Sequence, residues 1–154
     1  MEKITAFFEG IDLSKLVPQM DTLLEKLQLV ASVVLMAGPV IMLAFGLWYF
    51  FLPPKEANHR AGFRTYFGMG SVEAWRFTQK VAGIAWGGMG LILTVVMGII
   101  CKGFAEKEVM QVADTAFRCL IWQAILALVG YLAVSVLAAV FYDSKGNRRR
   151  FKKK

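Results

Sequence analysis

"VAGIAWGGMGLILTVVMGIIC", residues 81–101, runs for 21 positions without a charged side chain. A hydrocarbon core about 30 Å thick needs roughly 20 apolar residues of helix to cross it. A soluble helix of this length would carry a polar face, and this one has none. The same holds on either side: no charge falls between Leu27 and Pro54, nor between Cys119 and Tyr142. These three windows predict an all-α integral membrane protein with three transmembrane helices. The totals agree, because 57% of the 154 residues are hydrophobic and only 19% charged, below the quarter common in soluble domains. The first window is too long, too late and too acidic at its approach to be a cleaved signal peptide.

Residues 81–101 also carry a pattern of small side chains. Gly83, Gly87, Gly90, Thr94 and Gly98 recur at intervals of four, three, four and four, which places them on one helical face. Lipid supplies no hydrophobic drive between helices, so close backbone approach through small residues is the usual means of association. The second span is therefore expected at the centre of the bundle, the same face serving alternatively to join two copies. The first span contains "AGP" at 37–39, where proline removes a backbone donor and a kink is expected. Gln28, Ser32, Thr94, Gln123 and Ser135 are the polar residues inside the windows, with no ionisable side chain but cysteine and tyrosine. Proton relays and ion-coupled transporters ordinarily need such groups in the membrane, so a pump is disfavoured.

Residues 1–26 form a separate segment. Ile4, Phe7, Phe8 and Ile11, then Leu16, Met20, Leu23, Leu24 and Leu27, keep a spacing of three and four. That predicts an N-terminal amphipathic helix, broken near Gly10 and restarted with Asp12 or Ser14 as cap. It either lies in the interface or extends the first span.

Charge distribution sets the expected orientation. Of 18 basic residues, five lie in the loop 53–80 and seven in the tail 143–154, while the opposite side receives six and eight acids. The positive-inside rule then puts the loop and tail in the cytoplasm and the N-terminus outside a cell membrane. Aromatic girdles at 48–51, at Trp75 and Phe77, and at 141–142 mark the inner interface, with Trp122 at the outer one. A net charge of +7 needs no nucleic acid under this reading. Anionic lipid headgroups at the basic loop and tail are the expected partners. Cys101 and Cys119 bracket the other loop, where a disulfide is chemically allowed, and equally read as small apolar residues. No Cys/His cluster, nucleophile–base pair or phosphate loop is present, so no enzyme, cofactor or metal is expected.

That leaves "PPKEANHRAGFRTYFGMGSVEAW", 53–75, polar and glycine-punctuated between the first two spans. A proline pair ends one helix. Gly62, Gly68 and Gly70 permit tight turns, and Ser71 caps the next helix with Glu73 in its first turn. Arg64, between Asn58 and the helix start, has the geometry to clamp a lipid phosphate, a carboxylate or carbonyls of its own loop. The connector is thus either a structural clasp or a recognition site.

Asn58, three intervening residues, then Gly62-Phe63-Arg64-Thr65, followed by Ser71, Trp75, Phe77 and Gly83, resembles the signature of the SdpI family. These are small bacterial multipass membrane proteins named for an immunity protein that protects its producer from a secreted toxic peptide. The resemblance is sharp over 53–91, extends over 27–142 and is absent from 1–26. Pro53, Pro54 and Met69 fit it too. Two positions depart from the pattern: Phe63 stands where tyrosine is usual, and Thr78 where alanine is common. The resemblance implies a non-catalytic protein conferring protection against a membrane-active peptide or toxin. The alternative is an accessory subunit docking onto a larger membrane complex.

Overall fold

A computed structural model describes residues 13–57 and 61–149, with side chains described from Thr22 onward. It contains three long helices: α1 (Leu13–Phe51), α2 (Val72–Lys102) and α3 (Val109–Phe141), with a short 3-10 turn (Gly103–Glu106) between the last two. Thr22–Phe51, Val72–Glu106 and Val109–Phe141 are each long and apolar enough to cross a membrane. The chain is read as spanning it three times.

The separate amphipathic helix expected before the first span is not found among the described residues. From Leu13 the chain runs as one 39-residue helix to Phe51, so residues 13–26 extend the first span. No capping break is possible at Ser14, which already lies inside α1. The proposed break at Gly10 and the cap at Asp12 lie outside the described residues. Pro39 does not end the helix either, and it is fully buried.

The helices α1 and α2 are brought together by missing side chains. A Cβ on Gly46 would fall 2.9 Å from the carbonyl carbon of Trp86, and Gly87 is still nearer. Gly83 faces Phe50 and Gly90 faces Leu43 in the same manner, each with a hypothetical Cβ within 2.8 Å of the facing residue. Only glycine permits this approach, which brings backbone dipoles and Cα–H groups into dispersion contact. The face does not continue to its expected end. Gly98 has no atom within 4 Å of its would-be Cβ, and the Thr94 hydroxyl turns back to donate to Gly90 O at 2.7 Å.

Two apolar clusters lie along the bundle axis. Leu35, Met42, Leu93, Met97, Phe104 and Val112 form one, and Tyr49, Phe63, Ala82 and Val134 the other. Polar side chains tie the ends and middle. Gln28 donates to Phe104 O at 2.8 Å, and Gln123 of α3 donates to Leu35 O of α1 at 3.1 Å. Most remaining apolar side chains, Ile84, Ile92 and Leu128 among them, face outward, as a lipid-facing surface requires.

The pairing register of α1 and α2 makes room for the connector. Because Phe50 lies opposite Gly83, the first turns of α2, from Val72 to Ala82, project past the end of α1. The connector folds back into the space so left.

Candidate functional site

The connector is built on side chains that hold its backbone. Its first anchor is Trp75, fully buried, whose indole N–H donates to Pro54 O at 2.8 Å. An interfacial girdle position was expected there. The ring instead lies under Gly62, whose φ of +107° and hypothetical Cβ, 2.5 Å from Trp75 Cζ2, both demand glycine.

The second anchor is Gln79, also fully buried. Its amide reads both backbone groups of Phe63: Phe63 N–H donates to Oε1 at 2.8 Å, and Nε2 donates to Phe63 O at 2.8 Å. A side-chain amide thus replaces a strand partner for one residue, satisfying groups that would be costly to bury alone. So fixed, the Phe63 ring enters the bundle against Tyr49 of α1, Trp86 of α2 and Tyr131 of α3, with centroids 6.0, 5.6 and 5.4 Å away. One connector residue thereby touches all three helices.

The third anchor is hydroxylic. Thr65, buried, accepts from Gly68 N–H at 3.0 Å, and a Cβ on Gly68 would meet Thr78 Oγ1 at 2.5 Å. Ser71 caps α2, accepting from Ala74 N–H at 3.1 Å, while Glu73 sits in the first turn.

Ser71 does a second thing that sequence reasoning missed: its hydroxyl donates to Gly146 O at 2.7 Å. The tail, expected as a plain basic extension, folds over 142–149 into a turn on the connector. Tyr142 bridges to Arg148, and Asp143 Oδ1 accepts from the backbone N–H groups of Lys145 and Asn147 at 2.9 and 2.8 Å. Gly146, at φ +76°, packs on Gly70 and Ser71. Phe77 lies between Phe141 and Tyr142, with centroids 5.3 and 5.4 Å away. The Tyr142 hydroxyl donates to Glu73 at 3.3 Å.

Two groups here titrate away from their usual range. Burial, and then the charge of the Glu73 carboxylate and its hydrogen bond, push the Tyr142 phenol up. The Asn147 backbone N–H, with further help from the Asn147 side chain and Lys145, holds the Asp143 carboxyl down.

Within this framework Arg64 is the exception. It is exposed, and among the described residues its guanidinium has no hydrogen-bond or ion-pair partner. Its carbonyl accepts a long hydrogen bond, 3.5 Å, from the Tyr131 hydroxyl. Asn58 lies outside the described residues. The structure therefore brings Gly62, Phe63, Arg64, Thr65, Ser71, Trp75 and Phe77 into one assembly, with Gln79, Thr78, Glu73 and the 142–149 turn added to it. Gly83, Gly87 and Gly90 serve the α1–α2 contact instead. Cys101 and Cys119 are free thiols at the far end of the bundle. Among the described residues no group of His, Cys, Asp and Glu could hold a metal ion. Chemically, the assembly offers a bound anion or carbonyl the exposed guanidinium of Arg64 on a rigid support.

Residues 55–143 match the SdpI/YfhL protein family. No curated protein and no solved structure gives a match to the chain.

Proposed function

The chain belongs to the SdpI/YfhL family, and on that premise we propose that it protects a bacterial cell against a membrane-active peptide or toxin without catalysing a reaction. The observation that carries this reading is the connector. Its backbone is held at Pro54, Phe63 and Gly68 by buried side chains, while Arg64, in the same stretch, is exposed and its guanidinium forms no hydrogen bond or ion pair among the described residues. A loop serving only to join two helices has no need of such rigidity around an exposed charge; a recognition element does. In this reading the protein lies in the cell membrane with connector and tail in the cytoplasm and the N-terminus outside.

The test is expression in a peptide-sensitive bacterium. Protected cells survive a membrane-active peptide that kills cells carrying the empty vector, and Arg64→Ala or Trp75→Ala removes the protection while the protein remains in the membrane. Full sensitivity of cells containing well-inserted wild-type protein to every peptide tried would overturn the proposal.

A further inference from the structure

A groove of about 340 Å³ opens beside the connector, walled by Thr65, Tyr66 and Phe67 on one side and by Tyr131, Ser135 and Ala139 of α3 on the other. Its lining is mostly apolar, with hydroxyl groups from Thr65, Tyr66, Tyr131 and Ser135 within it. It opens outward, next to the exposed side chains of Leu132 and Val136. Its depth follows from the Gln79 pairing: Phe63 is held beside Gln79, so Arg64 stands close to the level of Lys80, the last charge before the uncharged run 81–101. That is the boundary between headgroups and hydrocarbon.

The charge at this boundary is one-sided. The described connector and turn carry cations at Lys55, Arg64, Arg76, Lys80, Lys145, Arg148 and Arg149, and carboxylates only at Glu56, Glu73 and Asp143. Glu73 accepts from Tyr142, and Asp143 is engaged by its own turn. None of the three carboxylates forms an ion pair with Arg64 among the described residues.

The slot is thus mostly apolar and lies at headgroup depth next to Arg64. The Arg64 carbonyl accepts from the groove-lining Tyr131 hydroxyl, and its exposed guanidinium forms no hydrogen bond or ion pair among the described residues. Such a slot matches a ligand that is apolar along its length and anionic at one end. We propose that this groove is a binding site for a membrane phospholipid with an anionic headgroup. The upper acyl chain lies between Tyr66 and α3, and the headgroup phosphate pairs with Arg64, whose planar fork suits phosphate oxygens. The assignment does not depend on the immunity reading. Lipid retention is measured with no toxin present, so either can fail alone.

The experiment is native mass spectrometry of the full chain released from nanodiscs of equimolar phosphatidylglycerol and phosphatidylcholine. The expected result is retention of phosphatidylglycerol at least about five-fold over phosphatidylcholine, by analogy with the energy of one charge near a membrane surface. Arg64→Gln brings the ratio close to one. Ala139→Trp fills the groove and lowers the total lipid retained, and Ser135→Phe does the same from one turn away. Lys145→Gln, which removes a cation outside the groove, keeps the preference. Equal retention of both lipids by wild type would overturn the site, as would a preference surviving Arg64→Gln, lipid unaffected by either blocking variant, or a preference lost equally in Lys145→Gln.

Discussion

The side-chain amide of Gln123 donates to the carbonyl of Leu35, and Leu35 is the residue four positions before Pro39, whose ring leaves that carbonyl without its helical donor. A polar side chain on α3 thus completes the hydrogen bonding of α1. Gly38 is part of the arrangement, because a Cβ there would fall 2.6 Å from Gln123 Oε1. Replacing Gln123 by leucine strands a buried carbonyl and should cost about 1–2 kcal/mol. Pro39→Ala restores the backbone donor, so the leucine substitution should cost about 1 kcal/mol less in that background. Equilibrium unfolding of the four proteins in mixed micelles measures the coupling, and strict additivity would show that the two residues do not share the carbonyl.

Gln79 holds the connector through two hydrogen bonds to one residue. Gln79→Leu leaves both backbone groups of Phe63 buried and unpaired, at an expected cost of about 2–4 kcal/mol. The loss should be local before it is global: the Phe63 amide exchanges faster and the connector becomes protease-sensitive while the three spans persist. Unchanged exchange at Phe63 would contradict the pairing.

Gly62 combines a positive φ with a ring pressed against its α-carbon. Gly62→Ala should destabilise by about 1–3 kcal/mol. Trp75→Phe removes the ring atoms that the new methyl would strike, so the double variant should be less damaged than the sum of the singles. A double variant as poor as that sum would place the whole cost in the backbone.

The 142–149 turn is expected to depend on pH at both extremes. The Asp143 carboxyl titrates below its ordinary 3.8, so its contribution is present above that value and lost as pH falls through the lower folded-state value. The Tyr142 phenol titrates above its ordinary 10.0, so its contribution is present below that value and lost as pH rises through the raised one. Hydrogen exchange at the Lys145 and Asn147 amides should quicken in acid, and Asp143→Ala should make exchange fast at every pH. Tyr142→Phe should abolish the alkaline loosening alone.

What the sequence revealed and what it hid divide along a physical line. Spans are declared by runs of one chemistry, and residues 81–101 needed no partner to be understood. Ser71 and Gly62 were legible because capping and tight turning are local. Gln79 and Gln123 were not, since their acceptors are backbone carbonyls 16 and 88 positions away, and a carbonyl carries no letter. A signal existed for Gln123: a proline inside a span leaves an acceptor in want of a donor, and few polar side chains lay within reach. The tail misled through its net charge, which drew attention to lipid and away from the Asp143, Gly146 and Asn147 that fold it. Trp75 misled because tryptophan near a span end usually marks the interface, whereas here Pro54 O gives its N–H a buried partner.

The seating of Gly146 on Gly70 and Ser71 has a practical bearing on how the molecule is handled. A fluorescent reporter or purification handle joined close behind Arg149 would pull on that seat and, through Ser71, on the cap of α2. Labels for imaging or capture belong at the opposite end of the chain, or behind a long flexible spacer.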